Sequence, residues 1–353
     1  QGLKTEEDVA VILFDSDGDK DLDLLITGGS TEFGKSSAAN APRLYNNDGK
    51  GNFMLNKHAL PGDLSFIAKA VAAADYDADG DIDLFIGSYI EPEKYPSFPQ
   101  SYFLQNNNGV FTDITKQLCP ALQKPGMITG ALFTDFNNDK TLDLIICGEW
   151  MPVRFFENKN GKLTELTAET GIGENNGMWR CLQAVDIDSD GDMDYIAGNI
   201  GLNNKYHANT ERPVMLYAKD LDKNDVTDLV PAYYIKNMEE RYELFPGIDR
   251  TQLADEVPSV KKKYLLHKEF STIKMEKLES DYGKEGWQVL KCTTTESIWI
   301  ENIGNGKFIN HPLPIEAQFA PINTMLSCDV NDDGNKDIII AGNEYETEEI
   351  GRA

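Results

Sequence analysis

Short apolar runs recur along the chain, each closed by an acidic stretch that opens onto a second apolar run. In "VAVILFDSDGDKDLDLLITGG", residues 9–29, five aspartates fall at alternate positions from Asp15 to Asp23. The order returns in "DYDADGDIDLFIGS" from Asp75, "DFNNDKTLDLIICG" from Asp135, "DIDSDGDMDYIAGN" from Asp186, "DLDKNDVTDLVPA" from Asp220 and "DVNDDGNKDIIIAGN" from Asp329. Apolar runs this short, bounded by turn residues, read as strands, so each of the six copies predicts strand, acidic loop, strand.

Between copies runs a second phrase, an apolar or aromatic stretch, then Asn and Gly, then another apolar residue: "RLYNNDGKGNFML", "YFLQNNNGVFTDI", "RFFENKNGKLTEL" and "IWIENIGNGKFIN". Asn-Gly pairs between strands signal hairpins, because both residues tolerate positive φ. Each unit is then four antiparallel strands, the acid loop joining the first to the second and the Asn-Gly turn the third to the fourth. Such units bury their faces by stacking radially, which predicts an all-β fold, a β-propeller of four-stranded blades, over 1–353 as a single domain. Six first-strand loops leave the ring open between seven blades and an incomplete circle, and a β-sandwich is the alternative. Residues 248–281 break the alternation and predict a small helical insertion, with Pro258 in a first turn and Leu265, Leu266 and Phe270 on its apolar side.

Counted from the first aspartate, positions one, three, five and nine hold Asp or Asn in every copy. The candidate ligands are Asp15, Asp17, Asp19 and Asp23; Asp75, Asp77, Asp79 and Asp83; Asp135, Asn137, Asp139 and Asp143; Asp186, Asp188, Asp190 and Asp194; Asp220, Asp222, Asn224 and Asp228; and Asp329, Asn331, Asp333 and Asp337. Carboxylates this close repel unless a cation, a proton or solvent relieves them. Hard oxygens at alternate positions of a tight turn suit Ca²⁺, which accepts six to eight of them in flexible geometry, and up to six ions are expected. An EF-hand would end in a Glu at position twelve between helices; here that position is Ile26, Ile86, Ile146, Ala197, Pro231 and Ile340, between strands. Zinc would call for His or Cys, and the loops hold neither. The fifth loop lacks a central glycine and is the weakest candidate; solvated acidic turns are the alternative for all six.

Composition then narrows the partners. The 353 residues carry a formal charge of −26 with a pI near 4.5, so nucleic acid would be repelled. No apolar run is long enough to span a bilayer, and the chain is expected to be part of a longer one. Five cysteines without CxxC spacing read as buried free thiols rather than a disulfide framework.

The acid loop followed by an apolar strand and Gly, as in "DADGDIDLFIG", resembles the FG-GAP/VCBS repeat family, calcium-binding β-propellers that include the integrin α-subunit heads. "GEWMPVRFFEN", "AGNIGLNNKY" and "PLPIEAQFAPI" resemble bacterial surface proteins grouped with ASPIC/UnbV. The resemblance implies a Ca²⁺-binding propeller in an extracellular, cell-surface or periplasmic setting.

Connections on the rim opposite the acid loops are aromatic and polar. Tyr89, Glu149, Trp150, Trp179, Arg180, Asn199 and Asn203 are the candidate ligand-binding residues there, an arrangement suited to a glycan or protein ligand. Packing between blades is the alternative role for Trp150 and Trp179. The expected function is a non-catalytic calcium-binding module for surface adhesion or recognition. The alternative is a propeller-type polysaccharide lyase or hydrolase acting on acidic glycans, with Glu149 as acid or base and Arg180 neutralising a uronate.

Overall fold

The computed structural model describes residues 7–343 apart from 30, 32–36, 63, 93 and 238. Sheet 1 is built from β1 (Asp8–Phe14), β2 (Asp23–Gly28), β3 (Arg43–Asn47) and β4 (Phe53–Leu55), antiparallel and in chain order. Sheet 2 repeats the order with β5 (Ile67–Ala74), β6 (Asp83–Ile90), β7 (Tyr102–Asn107) and β8 (Val110–Asp113), followed by the single turn α1 (Thr115–Leu118). Sheet 3 repeats it again with β9 (Met127–Thr134), β10 (Asp143–Met151), β11 (Arg154–Asn158) and β12 (Leu163–Glu165), and the short β13 (Gly177–Met178) pairs with the end of β10. Sheet 4 begins as expected with β14 (Cys181–Val185) and β15 (Asp194–Gly198).

Here the chain departs from the repeat. It builds β16 (Val214–Lys219), β17 (Asp228–Lys236) and β18 (Tyr242–Pro246), then the helices α2 (Arg250–Glu256), α3 (Ser259–Lys263), α4 (His267–Phe270) and α5 (Met275–Tyr282), and then β19 (Gln288–Cys292). Only afterwards do β20 (Ile298–Asn302) and β21 (Phe308–Pro312) complete sheet 4, in the order β14-β15-β20-β21. A final hairpin follows, β22 (Thr324–Cys328) with β23 (Asp337–Ala341).

The fifth acid loop therefore does not start a blade. Its hairpin lies in a sheet ordered β18-β17-β16-β19, where the last strand pairs with the first rather than the third. Once the helices intervene, the chain comes back to the edge a blade would turn toward its neighbours. Tyr217 and Val230 on one face of this sheet pack on Leu253, Val257, Val260, Phe270 and Leu278 of the helices. Leu216 and Leu290 on the other face pack on Met127, Tyr89, Tyr95 and Trp150.

The first strands β1, β5, β9, β14 and β22 stand next to one another in chain order. Successive side chains of a strand point to opposite faces, so each middle sheet serves two cores. Leu84 and Ile86 of β6 join Phe14, Leu25 and Leu44 of sheet 1, whereas Phe85 joins Leu144, Ile146 and Phe156 of sheet 3. Ile145, between those two leucine and isoleucine positions, turns the other way, to Tyr195, Ile300 and Phe308 of sheet 4. Two covered faces explain why the second strands read as unbroken apolar runs instead of alternating ones. The result is an all-β, propeller-like stack. All five cysteines are free, and Cys119, Cys147 and Cys292 are buried.

Candidate metal loops and the opposite face

Each acid loop is wound around its first aspartate. Asp15 accepts the N–H groups of Gly18 and Lys20, both at 2.9 Å, and Asp75 those of Asp79 and Gly80 at 3.0 and 3.1 Å. Asp135, Asp186, Asp220 and Asp329 accept the corresponding amides of their own loops. This winding needs left-handed backbone at positions four and six: Gly18 and Lys20, Ala78 and Gly80, Asn138 and Lys140, Ser189 and Gly191, Lys223 and Asp225, Asp332 and Gly334 all have positive φ. The fifth loop, which has glycine at neither place, takes the same path as the others.

The ninth position has a second role that spacing did not disclose. Asp23, Asp143, Asp194, Asp228 and Asp337 each accept the N–H of the loop's second residue. In sheets 1 to 4 the other oxygen of this buried aspartate accepts an N–H from the third strand, that of Asn47, Asn106, Asn158 or Asn302, at 2.7 to 2.8 Å. That asparagine is itself a staple. Asn106 Nδ2 donates to the Ser16 carbonyl, Asn158 Nδ2 to that of Tyr76 and Asn302 Nδ2 to that of Phe136, in each case the acid loop of the preceding sheet, at 2.7 to 3.0 Å. Its mark in the sequence is the Asn that precedes each Asn-Gly turn, a residue that turn chemistry alone already accounts for.

Carboxylate oxygens converge at Asp15, Asp17 and Asp19 in the first loop. In the second, fourth and fifth they converge at positions one, three and nine: Asp75, Asp77 and Asp83; Asp186, Asp188 and Asp194; Asp220, Asp222 and Asp228. Each of these groups can hold a metal ion. In the second loop Asp77 Oδ1 and Asp83 Oδ2 are buried and held at most by long approaches of the Asp79 and Tyr76 amides. Burial pushes Asp83 and Asp143 up to about 7, and burial with the neighbouring aspartates raises Asp17 and Asp77. Buried, acceptor-only oxygens crowded in this way fit a hard cation, which removes the repulsion without requiring protonation.

The third loop replaces a carboxylate with Asn137, and the structure places Glu157 of β11 against it at 3.1 Å. The equivalent contacts in sheets 1 and 2 run the other way, Asn46 donating to Asp17 and Gln105 to Asp77. Each pair keeps one carboxylate and one carboxamide. The sixth loop, with Asn331, has Asp329, Asp333 and Asp337 exposed or half-buried at the edge of the last hairpin.

On the opposite rim, four of the seven candidate residues come together. Glu149 is only 4% exposed and accepts from Tyr89 Oη at 2.7 Å, Arg180 Nη1 at 2.9 Å and Tyr95 Oη at 3.4 Å. Trp150, with φ 62°, donates its indole N–H to Tyr95 at 2.7 Å. This cluster is covered by Leu216 and Leu290 of the inserted sheet. Trp179 is fully buried in the core between sheets 3 and 4 and donates to the Met151 carbonyl. Asn199 is fully buried too, its amide donating to the Thr294 and Glu296 carbonyls. Asn203 is exposed and donates to the Phe319 carbonyl. Tyr95, in "SYIEPEKYPSFP", joins the cluster, and nothing local in that stretch sets it apart from Tyr89.

No helix among the described residues is long and apolar enough to cross a membrane. No curated protein matches the chain. The FG-GAP-like repeat family matches it over residues 15–86 and again over 135–197, two stretches that each begin at the first aspartate of an acid loop and end in the second strand of the next sheet, β6 and β15. Over those residues the chain carries repeats of the FG-GAP family.

Proposed function

We propose that the protein is a non-catalytic recognition module, stabilised by Ca²⁺ in its acid loops, that engages a glycan or protein ligand with the face away from them. FG-GAP repeats support a propeller-type recognition module. One observation carries the metal reading: in the second loop the carboxylate oxygens of Asp75, Asp77 and Asp83 converge within 4.8 Å of one another, with Asp83 fully buried. Ca²⁺ is favoured over Mg²⁺ because the ligand sets differ from loop to loop, which flexible coordination tolerates and strict octahedral geometry does not. Free Ca²⁺ is abundant outside the cell, so an extracellular, cell-surface or periplasmic setting follows, with adhesion as the role.

No observation favours the lyase or hydrolase alternative. Glu149 would have to meet substrate, yet it is buried beneath the inserted sheet with its oxygens already engaged.

The test is a thermal melt of metal-free protein titrated with Ca²⁺ or Mg²⁺. Binding to the folded state alone adds about 2.7 kcal/mol per site at a hundredfold excess over the dissociation constant. A large rise specific to Ca²⁺ is expected. A melt that ignores both ions overturns the metal reading and leaves the aspartates as solvated turns.

A further inference from the structure

The chain leaves sheet 4 after β15 and rejoins it at β20, and the two connectors run against each other, Gly201 donating its N–H to the Thr295 carbonyl at 2.8 Å. Both lie at the end of sheet 4 away from its acid loop. Between them, the loop trailing sheet 3 and the outer strand β21 is a cavity of about 390 Å³. That size suits a small ligand.

Its lining is polar in a particular way. Asn175, Tyr206, His207, Thr295, Glu296 and Asn310 bring carboxamides, a phenol, an imidazole, a hydroxyl and a carboxylate, and neither lysine nor arginine lines the cavity. Asn310 Oδ1 is buried without a hydrogen-bond donor. An acceptor withdrawn from water asks for an incoming O–H or N–H. An anion would meet the Glu296 carboxylate here with no lysine or arginine in the lining and with Lys205 lying over the Tyr206 ring, which disfavours acidic sugars and phosphates. A simple ammonium would satisfy Glu296 but leave the carboxamides and hydroxyl unused. A polyol offers donors and acceptors at every side, while Ile298 and Pro312 supply apolar surface for its C–H faces.

We infer that this cavity is a saccharide subsite that takes a neutral, hydroxyl-rich ligand of one or two sugar rings. The inference rests on the recognition reading above and gives it a place and a ligand class. A ligand seated here touches both connectors, so it also ties the inserted sheet to sheet 4.

Saturation-transfer NMR on the full chain in Ca²⁺ tests it, with glucose, N-acetylglucosamine, maltose and cellobiose as probes against glucuronate and glucosamine. Saturable transfer from at least one neutral sugar is expected. Asn310→Ala should weaken it about tenfold, the loss of one hydrogen bond made by a buried acceptor, and His207→Ala by about threefold, since its exposed imidazole competes with water. His207 is exposed, so its variant keeps the melting temperature of the parent and the comparison survives if Asn310→Ala folds poorly. Preference for glucuronate or glucosamine, binding that ignores both variants, or no transfer from any probe at roughly 20 mM overturns the inference. The two readings fail separately. A sugar or protein captured elsewhere on the module leaves recognition standing without this subsite, and a melt indifferent to Ca²⁺ removes the metal reading without touching the sugar result.

Discussion

The acid loop of sheet 3 and that of the inserted sheet have the same backbone path and different surroundings. In both, the first aspartate collects the loop amides and the ninth accepts the amide of the second residue. In sheet 3 the ninth aspartate also holds Asn158, and Asn158 reaches back to the loop of sheet 2. Among the described residues Asp228 has no such asparagine, and its sheet is closed by helices instead. The loop, from Asp135 to Asp143 or from Asp220 to Asp228, is thus a self-contained turn that closes a blade hairpin and the inserted hairpin alike. What makes a blade of it is the asparagine staple, which couples the loop's geometry to the stacking of sheets.

The largest effect should come from breaking that coupling. Asn158→Ala removes a buried amide that donates to the Tyr76 and Leu142 carbonyls and accepts from Gly161, and leaves these groups without partners in the core. Each costs about 1 kcal/mol or more, so urea unfolding in chelator should show a loss of about 3 kcal/mol. Asn224→Ala in the inserted sheet, where among the described residues no such staple exists, removes only a bond to the Val226 amide and, measured beside Asn158→Ala in chelator so that no metal ligand is lost, should cost under about 1 kcal/mol. Equal losses would mean that the staple does not distinguish blade from insert.

A second contrast is in sign. Asp83 ionises only near pH 7 in the folded chain because it is buried, whereas in the unfolded chain it ionises in the ordinary carboxylate range. Between those values the metal-free folded state holds the proton more tightly, so stability contributed by Asp83 and Asp143 is greatest in acid and falls as pH rises from about 4 to about 7. Saturating Ca²⁺ needs the ionised form and should reverse the slope. Asp83→Asn should accordingly be neutral or stabilising in chelator at pH 7.5 and destabilising in Ca²⁺, by up to the stability that one bound ion adds. Asp228→Asn should lower the Ca²⁺ stoichiometry by one while its melting change stays in the inserted sheet, read from protection of β16 and β17 amides in hydrogen exchange. A stabilised melt for Asp83→Asn in Ca²⁺ would rule out its role as ligand.

These contrasts also mark what the sequence could carry. The acid loops and their flanking strands were legible because every term is local: Asp15 to Asp23 and the run after it lie within a dozen residues. The staple was not, since Asn158 meets the loop of Tyr76 from 82 residues away. The inserted sheet hid for a related reason. Val214–Lys219, the fifth loop and the following strand have the wording of a blade, and only the pairing of β16 with β19 after the helices reveals another sheet. On the opposite rim, Trp150 and Trp179 end or follow strands with similar neighbours, yet one meets Tyr95 and the other fills the core. An aromatic at a strand end carries no mark of which way it turns.

The smallest effect tests whether the fifth loop is held by its own conformation. Lys223 and Asp225 sit at φ 65° and 66°, where a side chain bearing Cβ is strained and glycine is not. The second, fourth and sixth loops have glycine at position six, and the first has it at position four. Replacing Lys223 with Gly relieves strain but frees the unfolded chain, so the net gain should be about 0.5 kcal/mol. Asp225→Gly should add a little more, because it also removes a carboxylate from a loop already holding Asp220, Asp222 and Asp228, and this extra gain should vanish once Ca²⁺ has neutralised the cluster. A gain that persists unchanged in saturating Ca²⁺ would assign the whole effect to backbone strain, and would leave the fifth loop a turn that borrowed the shape of a metal site without its charge.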